Sequence, residues 1–265
     1  GGFQAGTYQL SPGASMTELA ETIWTGKVLE DSFTIPEGWN LGQMSRYFDQ
    51  LGWFSADEFM AEVDKALANR PAWLPDSIDS LEGFLFPDTY QIPVDARTAS
   101  SVVDVMLRRF EQTALPLYEE YGANSDLDLQ EWVTLASIIE KEAVVDEERA
   151  TISGVFVNRL EQGIPLGSDP TVEYGLGITQ TPESPLTLRQ VNTPSPYNTY
   201  RNPGLTPTPI AAPGYASLEV ALKPQETEYL YFVARYDGTH VFSRTLGEHE
   251  RAQGEIRDRI DAQRN

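Results

Sequence analysis

The stretch Leu135-Ala-Ser-Ile-Ile-Glu-Lys-Glu-Ala143 places two carboxylates inside an otherwise apolar helical pattern. At about 100° per residue, a single face of this helix collects a set of apolar side chains. They are Trp132, Leu135, Ala136, Ile139 and Ala143. Lys141 falls on the opposite face. The pattern therefore predicts a helix with a buried stripe that Glu140 and Glu142 border on either side.

The two carboxylates differ in their neighbours on the helix. Glu142 falls in the arc bounded by leucine and isoleucine at positions 135, 138 and 139, whereas Glu140 falls near valine and alanine at positions 133, 136 and 144. Desolvation raises the pKa of a carboxyl group, as a general acid requires. Glu142 is therefore the first candidate for an acid and Glu140 the second. The alternative is that both are boundary residues paired with Lys or Arg and without a chemical role.

Composition bounds the class of protein. The 265 residues are 40% hydrophobic, which is enough for a substantial core, and the length predicts two domains. The 19 basic against 40 acidic residues give a net charge of -21 and argue against nucleic acid and anionic lipid as partners. Zero cysteines exclude disulfides and thiolate chemistry.

No cofactor or metal is predicted. The chain has no glycine-rich phosphate loop and no Gly-x-Ser-x-Gly nucleophile elbow. His240 and His249 are nine positions apart, too few and too far apart for a zinc site. We predict that His240 belongs to a strand or turn and that His249 is a surface group. No apolar run reaches eighteen residues.

The first 80 residues predict alternating strands and helices. Gly6 to Leu10 and Ser32 to Ile35 have the pattern of strands, and Ser15, Asn40 and Ser55 have the pattern of helix caps. The order strand, helix, strand, helix fits a LysM-like module, which either binds glycan or orients the rest of the chain. Residues 71–80 are rich in Pro and Asp and predict a connector.

Residues 81–265 predict a second, mixed unit. Helices are expected at 100–112, 146–162 and 217–222, and a hairpin at 229–243. Residues 181–213 carry eight prolines and predict a long ordered loop. Glu82 and the nearby rings of Phe84, Phe86 and Tyr90 either line a groove or fill the core, and large aromatic side chains favour the core.

Several further strings follow one another in order along the chain. Upstream lie Ile35-Pro-Glu-Gly38 and Leu81-Glu-Gly-Phe-Leu-Phe-Pro-Asp-Thr-Tyr90. Downstream lie Asp146-Glu-Glu-Arg149, Ile152-Ser-Gly-Val-Phe-Val-Asn-Arg-Leu160, Gly167-Ser-Asp-Pro-Thr-Val-Glu-Tyr-Gly175, Ser195-Pro-Tyr-Asn-Thr-Tyr200, Ala211-Ala-Pro-Gly214 and Tyr229-Leu-Tyr-Phe-Val-Ala234. Together they resemble the MltG (YceG-like) family of endolytic murein transglycosylases over nearly the whole chain.

The resemblance implies an α+β fold, with a LysM-like N-terminal subdomain at residues 1–80 and a YceG-like catalytic domain at residues 81–265. It implies cleavage of the bond from N-acetylmuramic acid to N-acetylglucosamine within peptidoglycan strands, with 1,6-anhydro ends as product. One helical glutamate acts first as acid and then as base. That role is carried onto Glu142, with Glu140 as the fallback.

The resemblance and the residue types together imply a set of substrate contacts. Amide, hydroxyl and ring groups suit N-acetyl sugars, and the expected contacts are Glu82, Glu140, Asp169, Tyr174, Tyr197, Asn198, Thr199 and Tyr200. Asp169 and the four contacts at 197–200 have a structural alternative. Asp169 precedes Pro170 and has the pattern of a turn and helix cap, and Tyr197 to Tyr200 also fits a solvent-facing turn.

Two other functions stay open. A hydrolase that uses water needs a second carboxylate, for which Asp169 and Glu173 are candidates. A peptidoglycan-binding module without activity is the other alternative. The resemblance also implies an N-terminal membrane anchor before the abrupt start at Gly1-Gly-Phe-Gln4, placement outside the cytoplasmic membrane, and peptidoglycan synthases as neighbours.

Overall fold

The computed structural model of the protein describes residues 5–181 and 184–264, so Gly1 to Gln4 and Pro182 of the predicted loop lie outside the described residues. The helices are α1 Met16–Trp24, α2 Leu41–Gln50, α3 Ala56–Ala68, α4 Ala99–Thr113, α5 Leu115–Tyr121, α6 Leu129–Glu142, α7 Asp146–Glu161, α8 Asp169–Leu176, α9 Leu188–Val191, α10 Tyr215–Leu222 and α11 Leu246–Arg264. The strands are β1 Glu30–Thr34, β2 Thr89–Pro93, β3 Tyr231–Ala234 and β4 His240–Ser243. The predicted α+β class is confirmed.

Side chains that cap the backbone decide where the predicted helices begin. Ser15, Asn40 and Ser55 each accept a hydrogen bond from the amide three residues later, and the side chain of that later residue accepts one from the backbone amide of the cap residue. Asp128 begins α6 in the same way. Such reciprocal pairs satisfy amides that have no partner inside the helix. The predicted starts of α1, α2 and α3 are confirmed.

The first sheet joins residues that are far apart in sequence. β1 pairs antiparallel with β2, with Phe33 opposite Tyr90. Helices α2 and α3 lie between these strands in the chain and pack on each other. The two strands lie on opposite sides of residue 80, and a continuous apolar core includes side chains from both sides of it. The boundary at residue 80 stays a prediction.

The strand predicted at residues 6–10 is wrong. This segment has no strand assignment, although the Thr7 carbonyl accepts a hydrogen bond from the Leu29 amide at 2.7 Å. A strand needs a ladder of bonds to a neighbour, and alternation in the sequence does not supply that neighbour. The first elements are therefore a helix, a strand and two helices, instead of the predicted strand, helix, strand and helix.

Helix α6 is buried on every side over eight consecutive residues, 132–139. The prediction placed one apolar face toward the core, but Val133, Thr134 and Ser137 are buried as well. α6 packs on α7, α8 and α10, and the indole nitrogen of Trp132 donates to the Leu218 carbonyl at 2.8 Å. The Ser137 hydroxyl accepts the Ile210 amide at 3.0 Å, so the proline-rich loop also covers the helix.

The helices and the hairpin predicted for residues 81–265 occur in the predicted order. The helices at 99–113, 146–161 and 215–222 and the β3-β4 hairpin are confirmed within a few residues. The aromatic rings of Phe84, Phe86 and Tyr90 are buried, which confirms the core interpretation. Three of the helices listed above were not predicted. They are α5, which begins beside Pro116, α9, which is a single turn inside the predicted loop, and α11, which has weak apolar periodicity and packs on the hairpin.

Gly83 provides a test of this packing. Its φ is +86°, and a Cβ there would lie 2.6 Å from Cβ of Pro209 and 2.9 Å from Cγ1 of Val133. Gly52 has a similar φ of +68° with no atom near its Cβ position. We expect Gly52→Ala to cost about 1–2 kcal/mol through backbone strain, and Gly83→Ala to cost about 1–3 kcal/mol more through overpacking.

Denaturant unfolding of both variants measures this difference. Equal losses of stability in the two variants would contradict the close contact between Gly83, the proline-rich loop and α6.

Candidate active site

Glu142 ends α6 and is the centre of the candidate site. The helix ends at Ala143, whose backbone is extended, and the Glu142 side chain is partly buried. The Ser168 hydroxyl donates to Oε1 of Glu142 at 2.6 Å. Burial raises the pKa of Glu142 to about 7, and the hydrogen bond from Ser168 opposes that rise. A carboxyl group in this range can donate a proton and take one back near neutral pH.

Charged groups of α7 and α8 act on this carboxyl. Asp169 and Glu173 raise the pKa of Glu142 further, and Arg159 lowers it. The Tyr200 hydroxyl donates to Oδ1 of Asp169 at 2.7 Å. Asp169 is the first helical residue of α8, and Ser168 occupies the capping position that the sequence predicted for Asp169.

Glu140 has a different environment, although it lies only two residues away. Its Oε2 accepts hydrogen bonds from the Ser217 hydroxyl at 2.7 Å, the Gly214 amide at 3.1 Å and the Arg149 guanidinium at 3.3 Å. Both members of the Glu140 and Arg149 pair are only 9% exposed. Glu140 is thus a buried, paired carboxylate that joins α6 to α7 and α10.

Glu82 is a second buried carboxyl group. It is 3% exposed, and burial raises its pKa to about 7. The amide of Leu41, the first residue of α2, donates to its Oε1 at 3.0 Å, and the Tyr174 hydroxyl donates to its Oε2 at 3.0 Å. Glu82 therefore links the start of α2 to α8.

A groove of about 500 Å³ runs between these elements. Gln43 and Arg46 of α2 line one wall, and Glu173 and Tyr174 of α8 line the other. Glu82 and Lys141 also line it. Glu173, which lines the groove, also raises the pKa of Glu142, so this wall of the groove lies near the candidate acid. A groove lined by amide, ring and charged groups suits a polar ligand such as a sugar.

The predicted contacts at 197–200 divide into two kinds. Asn198 is fully buried, and its amide donates to the carbonyls of Val191 and Thr193 at 2.8 Å each. Thr199 is 2% exposed, and its hydroxyl accepts the Ser168 amide at 3.0 Å. Both side chains make their hydrogen bonds inside the protein.

The two tyrosines of this string face the candidate site. The ring of Tyr197 lies 4.9 Å from that of Tyr174, centroid to centroid, and its hydroxyl is 2.9 Å from that of Thr208. Tyr200 reaches Asp169. The structure thus brings Tyr174 and Tyr197 together at the groove, and Tyr200 and Asp169 together beside Glu142.

Sequence reasoning missed the roles of Ser168 and Arg159. Ser168 lies in the quoted string 167–175, but a serine gives no signal of its own in a loop. Arg159 lies in the quoted string 152–160. It donates to the backbone carbonyls of Leu166 at 2.7 Å and Leu230 at 2.5 Å, and its guanidinium lies 5.0 Å from the ring centroid of Tyr231.

His240 is buried and His249 is half-buried. His240 belongs to β4, as predicted, and its Nδ1 lies 2.7 Å from Glu148. His249 was predicted as a surface group, but it is half-buried and stacks on Tyr231. Within residues 5–181 and 184–264, no cluster of three potential metal ligands occurs. None of the helices described is long and apolar enough to span a bilayer.

The chain can be assigned to a known protein family. The sequence pattern of the YceG-like family matches residues 1–255, and the chain belongs to this family.

Individual relatives agree with the family. The endolytic murein transglycosylase of Bacillus subtilis is 32% identical over 95% of this chain and 72% of its own length. The protein of the same name from Streptococcus pneumoniae D39 is 31% identical over 94% of this chain, which spans half of that relative. A crystal structure of a YceG-like protein from Listeria monocytogenes matches with a TM-score of 0.74 and 32% identity, over 94% of this chain and 85% of that one.

The raised pKa of Glu142 predicts how its replacement changes stability. Between pH 4.5 and about 7 the folded state binds more protons at this residue than the unfolded state does, so its contribution to stability falls as pH rises. We expect Glu142→Gln to be more stable than the parent chain by about 2–3 kcal/mol at pH 8 and equally stable at pH 4. Denaturant unfolding at both pH values measures this.

Glu119→Gln is the matched control, because Glu119 is exposed on α5. It should leave stability unchanged at both pH values. A Glu142→Gln variant with the same stability as its parent at pH 8 would contradict the desolvation of this carboxyl.

Proposed function

We propose that this chain is an endolytic lytic transglycosylase that cleaves the bond from N-acetylmuramic acid to N-acetylglucosamine within peptidoglycan strands. The observation that carries the proposal is the carboxyl group of Glu142, which has a pKa of about 7 and lies near Glu173 of the polar groove. Glu82 has a similar pKa, but both of its oxygens accept hydrogen bonds from the protein. The names of the relatives from Bacillus subtilis and Streptococcus pneumoniae support the substrate and the endolytic mode.

One carboxyl group is sufficient for this reaction. Glu142 donates its proton to the glycosidic oxygen as the bond from that oxygen to C1 of the muramoyl sugar breaks. The muramoyl 6-hydroxyl then attacks C1 and gives its proton to the ionised Glu142. Because the nucleophile belongs to the substrate, no second carboxylate is needed to position water or to form a covalent intermediate.

We assign substrate binding and its support to residues in and around the groove. We assign contact with the N-acetyl sugars to Tyr174 and Tyr197, whose rings meet at the groove, and to Tyr200 with Asp169 beside Glu142. Glu82 holds Tyr174 against the start of α2. Within this proposal three other predicted contacts support the groove and do not touch the sugar, because their polar atoms make hydrogen bonds inside the protein. They are Glu140, Asn198 and Thr199.

A hydrolytic reaction is the second candidate, and one observation favours it. Asp169 and Glu173 are close enough to Glu142 to raise its pKa, so a second carboxylate is available to activate water. The products separate the two reactions, because anhydro ends and reducing ends differ by one water molecule.

The N-terminal elements fit a supporting role. We propose that the unit at residues 1–80, which contains β1, α2 and α3, is LysM-like and orients or binds the glycan strand, since α2 forms one wall of the groove. Action on peptidoglycan requires the chain to lie outside the cytoplasmic membrane. A membrane anchor and peptidoglycan synthases as partners belong to the same proposal.

Mass spectrometry of fragments released from uncrosslinked glycan strands tests the reaction. We expect the parent chain to release fragments with anhydro-muramoyl ends, and Glu142→Gln to lower the rate about 10²- to 10⁴-fold, because it removes the acid and base. Fragments with reducing ends would identify a hydrolase. Binding of the strands without any release would leave a binding module.

Glu140→Gln is the matched control for the adjacent carboxylate. Breaking its pair with Arg149 should lower stability by about 1–3 kcal/mol, since Arg149 loses its buried acidic partner and keeps the exposed Asp146 at 2.8 Å. The activity per folded molecule should stay close to that of the parent. A loss of chemistry in Glu140→Gln with full activity in Glu142→Gln would move the acid and base to Glu140.

A further inference from the structure

The hydrogen bond between Ser168 and Glu142 occupies one defined oxygen of the carboxyl group. The Ser168 hydroxyl donates to Oε1 at 2.6 Å, and Ser168 is only 1% exposed. Glu142 is the last residue of α6, where the chain leaves the helix, so its side chain has no neighbouring helical turn on its C-terminal side to restrict it. An external partner is therefore needed to hold the carboxyl group in one orientation.

Hydrogen bonds to its amide and to its carbonyl fix the backbone of Ser168. Its amide donates to Oγ1 of Thr199 at 3.0 Å, and its carbonyl accepts from Oγ1 of Thr171 at 2.6 Å. The hydroxyls of Thr171 and Thr199 lie 2.8 Å apart. Arg159 donates to the carbonyl of Leu166 and so supports the same turn. The position of the Ser168 hydroxyl is thus determined by buried groups from α7, α8 and the proline-rich loop.

We infer that Ser168 is a positioning residue that holds Oε1 of Glu142 and leaves Oε2 to carry the proton in both steps of the reaction. This inference rests on the proposed function. Oε1 can accept the Ser168 hydrogen bond when the carboxyl is protonated on Oε2 and also when it is ionised. The bond therefore persists while Oε2 gives its proton to the glycosidic oxygen and later takes one from the 6-hydroxyl, so the carboxyl group need not rotate.

The inference also explains why Thr199 is buried within a string that was predicted to contact sugar. Thr199 joins the Tyr197 and Tyr200 segment to the acid through Ser168. A change in that segment would then alter the orientation of Glu142 without touching it.

Ser168→Ala and Ser168→Thr form the matched pair for the test, because only the second keeps a hydroxyl. In Ser168→Ala we expect kcat to fall about 10- to 100-fold with KM little changed, since the carboxyl loses its orientation. The alkaline limb of the pH profile should move up by about one pH unit, because the carboxylate loses a donor. Ser168→Thr should restore both quantities to near the parent values.

The other charged and titratable groups near Glu142 are the same in Ser168→Ala and Ser168→Thr. They are Asp169 and Glu173 on α8, Arg159 on α7 and Tyr200 in the loop. A merely structural role for Ser168 would lower the amount of folded chain without moving the alkaline limb. An unchanged limb and kcat in Ser168→Ala, or a Ser168→Thr variant no better than Ser168→Ala, would overturn the inference.

A second measurement separates this inference from the proposed function. NMR titration of the Glu142 carboxyl in isotope-labelled chains needs no substrate. A rise of about one unit in its pKa in Ser168→Ala, reversed in Ser168→Thr, supports the positioning role even where the parent chain releases no anhydro product. An unchanged titration in Ser168→Ala would overturn the role whatever the reaction.

Discussion

The burial of α6 is the constraint on which the rest of the structure depends. Eight consecutive residues of this helix, 132–139, are buried, and neighbouring helices and the proline-rich loop cover it. The helix ends at the surface of this core, and Glu142 lies at that end. Since a carboxylate is costly to remove from water, the same packing that stabilises the fold raises the pKa of its terminal carboxyl group.

Two carboxylates separated by one residue illustrate how environment assigns a role. Glu140 has a buried cation and two further donors, so it is a bonded part of the core. Glu142 has one neutral donor, two nearby acids and the Arg159 guanidinium in its surroundings. The paired environment is found at Glu140, and the desolvated environment that an acid requires is found at Glu142. The helical pattern ranked Glu142 first because of the bulk of its apolar neighbours, and its role as the acid stays a prediction.

Much of the fold could be predicted because its signals are local. Helix caps at Ser15, Asn40 and Ser55 act within four residues, and the buried stripe of α6 repeats within a few turns. The strand predicted at 6–10 was wrong because a strand depends on a distant neighbour. The pairing of β1 with β2, separated by more than fifty residues, had no local signal.

The sequence by itself determined the class of fold, the helix on which Glu140 and Glu142 lie, and, through its ordered motifs, the family. Only the tertiary structure decided which groups surround Glu142. The Ser168 hydroxyl, the two carboxyl groups on α8 and the Glu82 link to α2 meet through contacts between segments 26 to 92 residues apart. Hydrogen bonds and desolvation act over a few ångströms in space, and one chain without its fold does not specify which distant residues come that close.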